Sequence, residues 1–292
     1  MKISGFTFVR FAVKYDYPIV ESINSLLPIV DEFVVNVGQC DDGTLELIES
    51  IQSPKIKIIH SVWDESLRHG GKVFAVETDK ALAAVSPDAD WAFYLQADEV
   101  VHEKDWDNIL HAANKYKDDK RVEGFLFKYI HLYGTYDYVG DSHRWYPYEI
   151  RLIRNNGNIA SYQDAQGFRT KQNTKLKVKP VDANIFHYGW VRHPHKQLEK
   201  YNNFHSFWSG IPYNPAEPLP EQEKFDFFSH IDSVDHFKGT HPKAMKERIA
   251  ARNWQLDFDI REKKMPLKKL LVYKLEKLTG RRFFVYKNYK II

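Results

Sequence analysis

The chain has 292 residues, 43% of them apolar and 28% charged, which is the composition of a globular protein with room for one large domain or a domain with an appendage. A single cysteine excludes an internal disulfide framework and a cysteine-built zinc cage. The first residues lack the apolar core of a signal peptide and no apolar run approaches the ~20 residues that span a bilayer, so a cytoplasmic protein is expected. The net charge of +3 hides an uneven split, because residues 261–292 hold eleven Lys and Arg against two acids and leave a mildly acidic body. That split argues against a nucleic-acid groove through the core, and it suits peripheral contact of a basic tail with the inner membrane face.

In chain order, residues 3–9 read as a first strand and 18–27 as a helix with proline at its start. Residues 32–37 form a second strand, followed by the turn Gly38-Gln39-Cys40-Asp41-Asp42-Gly43-Thr44 and a helix over 44–51. A third strand covers 55–60, a longer helix 71–85 and a fourth strand 91–95. Strands alternating with helices predict a parallel sheet with right-handed crossovers. The fourth strand runs through Trp91-Ala92-Phe93-Tyr94-Leu95 and stops at Gln96-Ala97-Asp98-Glu99. Ligands of open α/β sheets sit beyond such carboxyl ends, and carboxylates there suit an oxygen-preferring cation held together with substrate phosphates. The plainer alternative is that the two acids open the next helix.

After residue 120 the texture changes to strands over 123–133, 148–154 and 176–187, with aromatics crowding 125–148. A helix is expected over 195–208, then an extended loop marked by Pro212, Pro215, Pro218 and Pro220, a helix over 244–254 and a basic amphipathic helix over 267–278. In the last, Leu267, Leu270, Leu271, Leu275 and Leu278 form one stripe among Lys268, Lys269, Lys274 and Lys277. Two readings stand: a helix packed on its own domain with lysines in water, or a membrane contact near a lipid-linked acceptor.

Asp42-Gly43-Thr44 after the second strand, Gln96-Ala97-Asp98-Glu99 after the fourth, Tyr148-Glu149-Ile150-Arg151-Leu152-Ile153-Arg154, and Phe186-His187-Tyr188-Gly189-Trp190 occur in an order that resembles a family 2 glycosyltransferase. The resemblance covers roughly residues 1–195. It implies an α/β, GT-A-like, Rossmann-type sandwich with a mostly parallel central sheet over 1–195, of which 1–100 would be the donor-nucleotide half and 101–195 the acceptor half. Residues 196–292 would be a mainly helical, basic extension.

The activity so implied is metal-assisted, inverting transfer of a hexose-type sugar from a nucleotide-diphosphate donor to a glycan or lipid-linked acceptor, for the cell surface. Asp98 and His187 would hold Mg²⁺ or Mn²⁺ for Lewis-acid neutralisation of the leaving diphosphate. Asn36, Asp41, Asp42, Arg68, Lys72, Asp98 and Arg192 would face the donor, the last within a cationic loop with His193, His195 and Lys196. Asp164 or Glu149 would be the base that takes the acceptor's proton. Glu99, Arg144, Trp145 and Trp190 would face the acceptor.

Two positions depart from the pattern. Gln96 stands where the first acid of Asp-x-Asp belongs, and Val37 where the second strand carries an acid, leaving Asn36, Gln39 or Asp41 to read the base or ribose. Gln96 keeps a non-catalytic carbohydrate- or nucleotide-binding protein in play. A sugar-phosphate nucleotidyltransferase is opposed by Arg10-Phe11-Ala12-Val13-Lys14-Tyr15, which lacks the glycine-rich activating loop after the first strand.

Overall fold

The computed structural model describes residues 1–209, 213–214 and 219–292. Pro212, Pro215 and Pro218 of the expected proline-marked loop lie outside the described residues.

Strand β1 (Ile3–Val9) leads through α1 (Ile19–Leu26) to β2 (Glu32–Gly38), α2 (Thr44–Glu49), β3 (Ile56–Ser61), α3 (Lys72–Ala83) and β4 (Trp91–Tyr94). There follow β5 (Glu99–Val101), α4 (Trp106–Lys115), the long β6 (Gly124–Gly140), β7 (Tyr148–Arg154), and the small hairpin β8 (Ile159–Tyr162) and β9 (Gly167–Thr170). The chain then forms β10 (Leu176–Val191), α5 (Pro194–Ser209), β11 (Val234–His236), α6 (Lys246–Ala250), α7 (Leu267–Thr279) and β12 (Tyr289–Ile291). Residues 244–254, expected to be helical throughout, form a 3₁₀ turn and the five-residue α6, beyond which Arg252 reaches back to Asp137.

The main sheet has the order β12-β10-β6-β7-β4-β1-β2-β3, with β5 on β10 and β11 on β6. The run β4-β1-β2-β3 is parallel, as are β6-β10 and β10-β12, while β7 is antiparallel to both neighbours. This is the α/β sandwich with a mostly parallel central sheet that the sequence resemblance implies.

Period-two alternation sends the two faces of each strand into two cores. Phe33, Val35, Trp91, Phe93, Phe125 and Phe127 pack on one face against Ile19, Ile23 and Leu26 of α1 and Ile109 of α4. Phe6, Val34, Tyr94 and Ile150 pack on the other against Ala81 of α3 and Phe168 of the hairpin. With both faces covered, β4 reads as a continuous apolar run, and β1 is buried along nearly all of its length. The sequence order reverses on either side of β1, so a crevice opens at the carboxyl ends of β1 and β4. No helix among the described residues is long and apolar enough to cross a membrane.

Candidate active site

A cavity of about 590 Å³ occupies that crevice. Its floor comes from the strand ends, with Val9 closing β1 and Arg10 after it, Trp63 and Arg68 after β3, and Gln96, Ala97 and Asp98 after β4. Its far wall comes from β10, the β8–β9 turn and one face of α5. Gln197, Lys200, Tyr201 and Phe204 recur there at helical spacing, which is why a single face of α5 can line it.

Asp98 is the centre of charge. Its Oδ2 accepts from Lys200 Nζ at 3.0 Å, and the same ammonium donates to the Gly189 carbonyl at 2.8 Å. Burial pushes the Asp98 carboxyl up, but the groups around it, Lys200 foremost and then His187 and Arg192, together outweigh this and hold it well below the usual carboxylate range. Burial in turn pulls Lys200 down to about 8, with Arg192 acting the same way and Asp98 opposing. Arg192 is fully buried, 5.3 Å from the centre of the Tyr17 ring, and its three guanidinium nitrogens have no hydrogen-bond partner among the described residues. Lys200 lies 5.0 Å from that same ring. Two buried cations therefore meet one carboxylate, an imbalance that an anionic ligand would correct.

His187 faces Asp98 with its Nε2 3.9 Å from Oδ1. Its tautomer follows from its neighbours. The Tyr146 carbonyl can only accept, so His131 Nε2, 2.8 Å away, carries the hydrogen and leaves His131 Nδ1 as an acceptor. His187 Nδ1, 3.2 Å from that atom, then donates, and its Nε2 keeps a free lone pair on the Asp98 side. Burial lowers the pKa of both imidazoles, which keeps them neutral.

Gly189 completes the corner. A Cβ there would stand 2.5 Å from His187 Nε2 and 2.9 Å from Asp98 Oδ2, so only glycine leaves the space between them open. An imidazole nitrogen and a carboxylate facing one open space fit a divalent cation. Among the described residues no cluster of three His, Cys, Asp or Glu side chains suits a metal. The donor set thus fits an ion that takes the rest of its shell from phosphate and water, and not one held by protein alone.

No protein-family model matches the sequence, and no curated protein does. Among solved structures, a fragment of Staphylococcus aureus TarS in complex with UDP is 15% identical, with 74% of this chain and 68% of that one covered and a TM-score of 0.40. Glucosyl-3-phosphoglycerate synthase from Mycobacterium tuberculosis, in complex with Mn²⁺, UDP and phosphoglyceric acid, is 15% identical over 44% of this chain and 43% of that one, with a TM-score of 0.30. For 4-diphosphocytidyl-2C-methyl-D-erythritol synthase from Anaerococcus prevotii the values are 11%, 53%, 70% and 0.33. At these identities and scores the likeness bears on neither activity nor substrate.

Of the residues singled out in the sequence, Arg68, Asp98, Asp164, His187 and Trp190 line the cavity. Asp164 sits in the β8–β9 turn, and burial raises its pKa. Arg68 pairs with Glu65 at 2.7 Å, stacks 4.2 Å over Phe207 and donates to Ser206 on α5.

The other choices stand elsewhere, each for a local reason. Glu99 is fully buried, with its oxygens taken by Arg151 through two 2.8 Å bonds, by Tyr129 Oη at 2.7 Å and by the Gln96 amide at 3.0 Å. It stiffens the turn that carries Asp98 and does not face an acceptor. Glu149 lies one hydrogen bond behind the wall, accepting from Gln166 at 3.1 Å, and burial raises its pKa to about 7. Asn36 is buried and donates to the Glu77 carboxylate at 2.8 Å. Asp42 caps its own turn, accepting from Thr44 Oγ1 at 2.6 Å and the Lys14 amide at 2.8 Å. Asp41 and Lys72 are exposed and outside the cavity wall. Arg192 is buried and lies outside that wall too.

Arg144 and Trp145 belong to the β6–β7 connection and do not line the cavity. Arg144 reaches the His230 carbonyl, and Trp145 packs in a separate aromatic core with Tyr133, Phe225 and Phe227. The aromatics of 125–148 are mostly core as well, and Tyr146 is the one that reaches the cavity wall.

Lys200, Arg151, Trp63 and His131 were not singled out. The spacing of Gln197, Lys200, Tyr201 and Phe204 was a readable signal for the first of these. Nothing local distinguishes His131 within an aromatic strand.

Proposed function

We propose that the protein is a nucleotide-sugar-dependent glycosyltransferase, resembling family 2, that moves a sugar from a nucleotide-diphosphate donor to a hydroxyl of a glycan or lipid-linked acceptor with inversion. The observation that carries this reading is the convergence of Asp98, His187 and Lys200 around the open corner at Gly189, at the carboxyl end of β4. The diphosphate would lie here, where Lys200 is within reach of it and the buried charge of Arg192 adds to the field that stabilises it as it leaves. When bound, Mg²⁺ or Mn²⁺ on Asp98 and His187 would act as a Lewis acid toward the leaving diphosphate.

The cavity wall also suits a nucleoside and a sugar. Trp63, Phe11 and Phe74 offer aromatic faces, while Trp63 Nε1 and Tyr15 Oη are buried polar atoms with no partner among the described residues. Trp63 Nε1 lies against Gly38, and a ligand hydroxyl or carbonyl would satisfy Tyr15 Oη. Among the acids of the wall, Asp98 is engaged by Lys200 and Glu65 by Arg10 and Arg68, which leaves Asp164. Asp164 would take the proton from the acceptor hydroxyl as its oxygen bonds to the anomeric carbon and the bond to the diphosphate breaks. Its burial-raised pKa suits that task.

A non-catalytic sugar-binding protein is the second reading. It rests on Gln96, whose amide turns to the Ala165 carbonyl at 3.4 Å and adds no charge to the corner. Incubation with a panel of nucleotide sugars and glycan acceptors distinguishes the two. Release of nucleoside diphosphate matched by glycosylated product supports the transferase. Sugar binding indifferent to nucleotide and metal, with no turnover, supports the second reading, and pyrophosphate release from a nucleoside triphosphate would overturn both.

A further inference from the structure

Helix α7 is docked inside out. Amphipathic helices ordinarily bury their apolar stripe and leave charge in water. Here the buried residues are Tyr273 and Glu276, while Leu267, Leu271, Leu275 and Leu278 are 80%, 68%, 47% and 85% exposed. At ~100° per residue these four leucines share an arc of about 80°. Lys268 and Lys274 border that arc on its two sides, and Lys269 is also exposed.

The polar side is pinned firmly. Tyr273 Oη donates to Asp141 Oδ2 at 2.6 Å, and Lys277 Nζ lies 2.8 Å from the same oxygen. Glu276 accepts from His143 at 3.0 Å and from the Phe283 amide at 2.8 Å, and Arg282 donates to the Ser142 carbonyl at 2.7 Å. The Asp141–His143 segment, just before Arg144 and Trp145, is thus the socket that turns the leucines outward. Beyond the helix, Phe284 and Tyr286 are 89% and 65% exposed, adding aromatic side chains of the kind that settle at a membrane–water boundary.

We propose that α7 and the aromatic segment after it form a docking surface for an anionic lipid bilayer, with the leucines entering the acyl boundary and Lys268 and Lys274, which flank them, resting among acidic headgroups. The charge on the page selects this occupant. The one acid of α7, Glu276, is buried and paired, so the exposed face is wholly cationic and apolar. A helix of 13 residues, ~20 Å long, cannot span a bilayer and would lie in its plane.

Co-sedimentation of the full chain with vesicles tests the proposal, comparing phosphatidylcholine alone with mixtures rich in phosphatidylglycerol. The wild type should bind the anionic vesicles and release them as salt rises. Lys268→Glu with Lys274→Glu should weaken binding by at least about a hundredfold. Serine at Leu267, Leu271, Leu275 and Leu278 should abolish it, with unchanged circular dichroism and melting, because these side chains touch little of the protein. Anionic vesicles left unbound by folded wild type, or bound equally by the serine variant, would overturn the proposal. So would concentration-dependent dimerisation that the serine variant loses while vesicles go unbound, which would assign the face to a second copy of the chain.

Discussion

The Glu99–Arg151 pair offers the most direct test of how the Asp98 turn is held. Both side chains are buried, 0% and 1% exposed, and joined by two parallel 2.8 Å bonds. Arg151 is flanked by the rings of Tyr94 and Tyr129 at 5.3 Å each and also donates to the carbonyls of Ile150 and Gln166. Arg151→Met would leave a buried carboxylate with only Tyr129 and the Gln96 amide, and removal of one partner of such a pair costs about 3–5 kcal/mol. Glu99→Gln strands the guanidinium at a similar cost. The double variant removes both charges, so its loss should fall short of the sum of the singles by about 2–3 kcal/mol. Urea unfolding midpoints at constant slope measure all three. Single losses below about 1 kcal/mol that simply add would refute the reasoning, because they would mean that water screens the pair.

Two further expectations concern the acids near the wall. Asp164→Asn should lower kcat by about 10²–10⁴ with donor binding retained, and should remove the acid limb of the pH–rate profile. In the wild type that limb should lie above the ordinary aspartate range, since burial raises the group and the base works only once deprotonated; an unchanged rate and profile would exclude Asp164 as the base. Glu149→Gln should stabilise the protein at pH 8 by up to about 3 kcal/mol and have no effect near pH 4. Below its ordinary value of 4.5 the group is protonated in both states, between there and about 7 only the unfolded chain releases the proton, and above that the deficit is constant. Destabilisation of the variant at pH 8, read from thermal melts across that range, would contradict this.

Much of the sheet was legible because a parallel strand covered on both faces tends to a short apolar run, as in Trp91–Tyr94. Asp98 was legible for the same reason, as the charge where such a run stops. Its neighbour Glu99 was not, because nothing in the sequence says that Arg151, fifty-two residues on, will reach under the sheet to meet it. For Lys200 the helical spacing was readable but the partner was not, since Asp98 lies 102 residues earlier. The leucine stripe of α7 was plain, but which face it turns inward depends on Asp141 and His143, and sequence periodicity carries no such information.

The central claim is that the Asp98 corner receives the diphosphate of a nucleotide sugar. Thermal shift with a panel of UDP- and GDP-sugars, with and without Mn²⁺, on the wild type and on Asp98→Ala, tests it most directly. The prediction is stabilisation by one nucleotide class, about 2.7 kcal/mol at a hundred times its Kd, that needs the divalent ion and disappears in the variant. No shift with any nucleotide in a folded wild-type protein, or an equal shift in Asp98→Ala, would contradict it.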